Sequence, residues 1–137
     1  MDSELTYTDS GWAVWPADLP RPGVELIRQK CCELIGTTDP RWEEPADAKR
    51  GRNTHRALVA VVARQLLGWS YPESASAAGY KAHSTIINPQ SEVQQLLGSE
   101  AGCILYNAAV AKIHRDFLDT YQMAARRALG THAGSAV

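Results

Sequence analysis

Three signals within twelve residues limit what this chain can fold into: a stop at Gly68, a start at Ser70 and a second stop at Gly79. Gly68 stands just past the last apolar turn of 54–67, where glycine supplies the left-handed backbone that ends a helix. Ser70 and Glu73 have the Ser-x-x-Glu spacing of a capping box, and Pro72 falls in the first turn, where a missing N–H is no loss. The helix that follows has room for two turns before Gly79, and a third helix is predicted from about His83. Helix, short helix, glycine-bearing turn, helix is the order of a helix-turn-helix, whose last member enters the DNA major groove by its N-terminal end. That end carries His83, Ser84 and Thr85.

With 137 residues the chain can build one domain with a real core, and is too short for two ordinary ones. Aliphatic residues are plentiful, phenylalanine occurs once and no stretch alternates for long, so an all-α fold is expected. The net charge of −1 argues against nucleic acid only as an average. Residues 49–91 carry Lys49, Arg50, Arg52, Arg56, Arg64 and Lys81 against Glu73 alone, a net of +5 that leaves −6 for the rest. A basic centre between acidic arms is the asymmetry of a nucleic-acid face on a soluble body. Cys31, Cys32 and Cys103 make neither a disulfide framework nor a zinc motif and are read as small core residues in a reducing interior. The acidic N-terminus has no apolar run and no segment reaches a membrane span, so a cytoplasmic protein is expected.

Taken in order, residues 1–22 hold Gly11, Pro16, Pro20 and Pro22 and are expected to be an irregular arm. Its Trp12 and Trp15 imply that it packs on the body or on a partner. Val24 to Ile35 is a predicted helix stopped by Gly36, followed by an irregular link anchored by Trp42. Lys49-Arg50-Gly51-Arg52 then forms a basic arm of the kind that slips an arginine into the minor groove. The helix from Thr54 to Leu67 buries Leu58, Val61, Val62 and Leu66. Its Arg56 and Arg64, two turns apart, are placed to grip one phosphate backbone. In the third helix of the motif Ile86, Val93, Leu96 and Leu97 face the core, and Pro89 predicts a kink or a break shortly after Asn88. Gly98 ends that helix, Ser99 caps the next, and a helix from Glu100 to about Leu129 follows. At roughly 45 Å it either breaks in the middle or projects and forms a homodimer through 100–129. Residues 130–137 are expected to be a loose tail.

The run from Arg56 to Leu97 resembles the C-terminal DNA-binding domain of the bacterial replication initiator DnaA, a helical domain with a helix-turn-helix like that of the Trp repressor. The family shows an arginine opening the first helix, then Leu-Pro-Glu-Ile, then Gly-Gly-Arg-Asp-His-Thr-Thr-Val. Here the same columns read Arg56, Tyr71-Pro72-Glu73-Ser74 and Gly79-Tyr80-Lys81-Ala82-His83-Ser84-Thr85-Ile86, without a gap. The likeness spans roughly residues 24–97. It implies a DnaA-like helix-turn-helix domain over 23–98 with an extra long C-terminal helix over 99–129. It also implies roles: His83 and Ser84 at base edges; Arg56, Arg64, Tyr71, Pro72, Lys81, Thr85 and Asn88 on the phosphate backbone; the Lys49, Arg50, Arg52 arm in the minor groove.

The sequence also departs from the family. Ala82 replaces its acidic base reader, Asn88 replaces a phosphate-contacting histidine, and Pro89 has no counterpart. No Gly-x-x-x-x-Gly-Lys-Ser/Thr occurs, so no nucleotide, cofactor or metal is expected, and no enzyme. His55, His83, His114 and His132 are dispersed and form no catalytic set. The expected partner is double-stranded DNA, bound by a stand-alone protein acting as a regulator, a replication accessory or a competitor for initiator sites, such as a phage or mobile element encodes. The alternative is a protein-interaction module that uses the helix-turn-helix as scaffold and the C-terminal helix as binding surface.

Overall fold

The structure, a computed structural model, describes residues 4–38, 42, 54–80 and 91–136, the last seven of these as helical backbone alone. It is mostly helical, as expected, with one small sheet. The strands β1 (Thr6–Tyr7) and β2 (Ala13–Val14) precede α1 (Val24–Ile35), α2 (Thr54–Leu67), α3 (Tyr71–Ala77), α4 (Glu92–Leu97) and α5 (Glu100–Ala136).

The centre of the body is α2. Residues Arg56 to Ala63 and Leu66 are buried on every side of it, which is how a helix apolar all round must sit. It packs against α1, α3, α4 and α5. From α1, Ile27 and Cys31 enter the core, and the helix stops at Gly36 with φ +88°, its N–H on the Cys32 carbonyl. Ser70 caps α3 with a hydroxyl that accepts from the Glu73 N–H at 3.3 Å and donates to the Glu73 carboxylate at 2.9 Å. A second serine, Ser91, is extended and caps α4 through the Gln94 N–H. The chain is thus extended at Ser91 and enters this helix only at Glu92, while the kink or break predicted shortly after Asn88 lies outside the described residues. Ser99 caps the start of α5 through the Gly102 N–H at 3.0 Å. Gly102 is required there, because a Cβ at that position would run into the backbone of Leu96.

The N-terminal segment is irregular over most of its length, as its prolines suggest, but it forms one short hairpin docked on the body. β1 and β2 pair antiparallel, Thr6 with Val14 and Tyr7 with Ala13. Gly11, at φ +89°, lets the turn close. Strands of two residues are too short for alternation to register, and what holds them is far away in sequence. The side-chain amide of Asn107 on α5 donates to the Gly11 carbonyl and accepts from the Ala13 N–H, both at 2.8 Å, as a neighbouring strand would. Trp12 lies against Tyr106, and Trp15 sets its edge against His114 and Phe117. Ala13, Trp15 and Leu19 join Ile27, α2, Val93 and Tyr106 in one core, so the expected arm, motif and long helix are parts of one body.

The second correction concerns α5. It is unbroken over 37 residues, about 55 Å, and its backbone stays helical through the expected loose tail as far as Ala136. Once a helix is nucleated each further residue adds a hydrogen bond, so Gly130 and Gly134 weaken it without ending it. Its first half is docked: Tyr106, Ala109, Val110 and Ile113 are buried, and Asp116 pairs with Lys30 of α1 at 2.6 Å. Residues 119–129 are all exposed. No helix among the described residues is long and apolar enough to cross a membrane.

Candidate nucleic-acid interface

The residues proposed to meet DNA separate into those that the fold uses internally and those left on its surface. Arg56 belongs to the first group. It is 3% exposed, its Nη1 donates to the Gly79 carbonyl at 2.9 Å, and its guanidinium lies 5.8 Å from the ring of Trp42. Arg28 of α1 also lies near this ring, 5.3 Å from its centre, and its Nε donates to the Ala77 carbonyl at 2.8 Å. Two arginines, with Trp42 beside both, thus hold the carbonyls at the C-terminal end of α3, where cations are favoured by the helix dipole and by unpaired acceptors. Gly79 is left-handed at φ +81°, and a Cβ there would collide with the Arg56 guanidinium. The Tyr80 N–H reaches back to the Ala75 carbonyl at 2.9 Å and closes the turn. Burial pushes the Tyr80 phenol up to about 12, with Glu92 adding and Arg56 opposing.

The expectation that Arg56 and Arg64 line up along one phosphate backbone is therefore corrected. Eight residues of α-helix leave a rotation of about 80°, which turns Arg56 into the body and Arg64 toward its surface. Arg64 is half-buried; its Nη1 donates to the Trp69 carbonyl at 3.3 Å and its guanidinium lies 3.7 Å from the Tyr71 ring centre. Tyr71 is half-buried and Pro72 exposed, so the structure brings Arg64, Tyr71 and Pro72 together at the start of α3. Beside them a cleft of about 440 Å³ runs between Arg64, Gln65, Tyr71 and Leu97 and the hairpin residues Thr8, Ser10 and Trp12. The hairpin's place at this ledge, like the role of Arg28, has no signal in the sequence, since neither partner lies nearby in the chain.

The remaining residues of the expected interface, His83, Ser84, Thr85, Lys81 and Asn88, lie outside the described residues. So do the arm Lys49, Arg50 and Arg52, and the two departures Ala82 and Pro89. Among the described residues no group of three His, Cys, Asp or Glu side chains is placed to hold a metal ion. His55 packs on Trp42 and His114 on Trp15, as ring partners. Cys31 and Cys32 are buried free thiols, and burial pushes both thiols up. No family model, curated protein or solved structure matches this chain, so its likeness to the DnaA domain rests on the residues quoted above.

Proposed function

We propose that the protein binds double-stranded DNA as a stand-alone domain of the DnaA C-terminal, helix-turn-helix type, serving as a regulator or replication accessory without ATPase activity. What carries the proposal is the combination of a rigidly held α2–turn–α3 unit with a net +5 segment around it. The clamp of Arg28, Arg56 and Trp42 holds the C-terminal end of α3, after which the sequence continues to Lys81, His83 and Ser84. Arg64 on Tyr71 supplies a cation at the opposite end of the same helix. Imidazole and hydroxyl groups are adaptable base readers, and lysines and arginines supply salt-dependent affinity.

Selection of bound sequences from a random duplex pool tests this. The expected result is an enriched site, with a preference that the double variant His83→Ala, Ser84→Ala relaxes while binding persists. A pool that shows no enrichment, or a preference untouched by that variant, would remove the base-reading roles.

The second possibility, a protein-interaction module, is favoured by one observation. Eleven consecutive residues of α5, 119–129, are exposed, beyond the half-buried Phe117 and Leu118 that pack against the core.

A further inference from the structure

The cleft beside Arg64 is lined by polar side chains that can all donate a hydrogen bond. Arg64, Gln65, Tyr71 and Leu97 come from the helices, and Thr8, Ser10 and Trp12 from the hairpin. No carboxylate lines it, and none of the ion pairs among the described residues uses Arg64. Three other clefts differ in this respect. Those beside Arg28 also carry Glu73, or Glu25 with Glu33, and the one at Thr54 carries Glu92 and no cation. Asp9 precedes Ser10 in the hairpin and is exposed, but it does not line the cleft. Both walls are held in place by the fold. Arg64 spends Nη1 on the Trp69 carbonyl and rests on Tyr71, which leaves Nε and Nη2 as further donors. In the hairpin the Thr8 hydroxyl accepts from the Trp12 N–H at 3.1 Å and lies 3.2 Å from the Ser10 hydroxyl. Asn107 and Tyr106 hold that hairpin on α5.

We propose that this cleft binds a small molecule that joins a phosphate to a flat ring. Its volume of about 440 Å³ falls in the range of small-ligand pockets. The charge of Arg64 and the surrounding donors select an anion, because a cation would find no carboxylate there. The donors come from the helices and from the hairpin, so they suit the three terminal oxygens of a phosphate better than the two of a carboxylate. A guanidinium stacked on a ring has its plane fixed, and little freedom is lost when it takes up an oxyanion. The apolar part of the lining sets the other half of the ligand. Trp12, Tyr71 and Leu97 offer flat and aliphatic surface that a bare phosphate would leave wet. An uncharged ring would cover that surface and leave Arg64 unanswered. Arg64 is also a proposed DNA contact, so the site is tested without duplex, which keeps the two readings apart.

Titration of the full chain with phenyl phosphate, followed by the NMR shifts of the Trp12 indole N–H and the Ser10 amide, tests the proposal. The expected result is saturable binding with a Kd on the order of 1 mM, reasonable for so small a ligand. Inorganic phosphate and benzyl alcohol, each carrying half of the proposed chemistry, should bind about tenfold more weakly or not at all. Two exposed positions then set the sign of the charge without touching the core. Gln65→Glu keeps the shape of the side chain and adds the missing acid, and should weaken phenyl phosphate by about tenfold or more. Ser10→Lys adds a second cation and should tighten it. Urea midpoints of the two variants near that of the parent chain show that the fold is intact. No saturable shift at these two probes would overturn the proposal. So would inorganic phosphate or benzyl alcohol binding as well as phenyl phosphate, or an affinity that the two charge changes leave alone. None of these results would touch the DNA-binding proposal, which has its own assay.

Discussion

The end of α3 and the tip of α5 are both rich in arginine, and the fold treats them in opposite ways. At the end of α3, Arg28 and Arg56 each hold a backbone carbonyl and share Trp42, and a glycine makes room for one of them. At the tip of α5, Arg126 and Arg127 sit on a run of exposed residues with the body left behind. A cation that has a carbonyl to satisfy belongs to the scaffold, whatever its place in a family motif. A cation standing on a face that packs on nothing is available to a partner. Arg64 is intermediate, bonded to the Trp69 carbonyl and stacked on Tyr71, yet still at the surface.

Breaking the scaffold side of this contrast should have the largest effect. Arg56→Ala leaves the half-buried Gly79 carbonyl without this partner, and its loss should cost about 1.5–3 kcal/mol, the range for hydrogen bonds to charged groups. Gly79→Ala should cost a similar amount, because strain at positive φ adds to the collision with Arg56. Urea unfolding measures both. If Arg56 were only a phosphate ligand, Arg56→Ala would leave the midpoint where it is. Asn107→Ala comes next, at about 1–2 kcal/mol, since it removes two half-buried hydrogen bonds that hold the hairpin on α5. Hydrogen exchange should then show the hairpin amides opening before the rest of the core.

Alkali should loosen the same scaffold. Burial raises the thiols of Cys31 and Cys32 and lifts Tyr80 and Tyr106 to about 12; hydrogen bonds to Asp116 and Glu33 raise Lys30. Every one of these groups keeps its proton longer in the folded chain than in the unfolded one. Their contribution is therefore complete below about pH 8.5, where the first unfolded thiols titrate, and is lost as pH climbs toward 12. Urea midpoints at pH 8, 10 and 11.5 should fall in that order; a midpoint that holds would contradict the buried placement. On the exposed side, the effect should be small. Arg126→Ala with Arg127→Ala should shift the stability of dilute protein by less than about 0.5 kcal/mol, as surface changes generally do.

These contrasts also show where the sequence was legible. Local signals read correctly: Gly36 and Gly68 as stops, Ser70 and Ser99 as caps, and the limits of α1 and α2. All of them act between residues within one turn of each other. The failures come from partners far along the chain. Arg56 is answered by a carbonyl 23 residues away, and Asn107 reaches back more than 90 residues to the hairpin. Nothing local distinguishes such an arginine from a surface one. The far end of α5 failed for another reason: glycine and small polar residues weaken helix propensity, but they do not stop a helix already running. Of the expected interface, the structure brings together Arg64, Tyr71 and Pro72 and removes Arg56, while the residues proposed to read bases, His83 and Ser84, lie outside the described residues.

Salt dependence of duplex binding tests the central claim most directly. With Arg56 inside the fold, the cations left to meet phosphate are Lys49, Arg50, Arg52, Arg64 and Lys81, so log affinity should fall against log salt with a slope of about −4.5. Replacing Lys49, Arg50 and Arg52 together by alanine should flatten that slope to about −2, and fluorescence anisotropy on a labelled duplex reads both. A complex indifferent to salt, or one whose slope survives the triple replacement, would contradict a basic face built around α2 and α3.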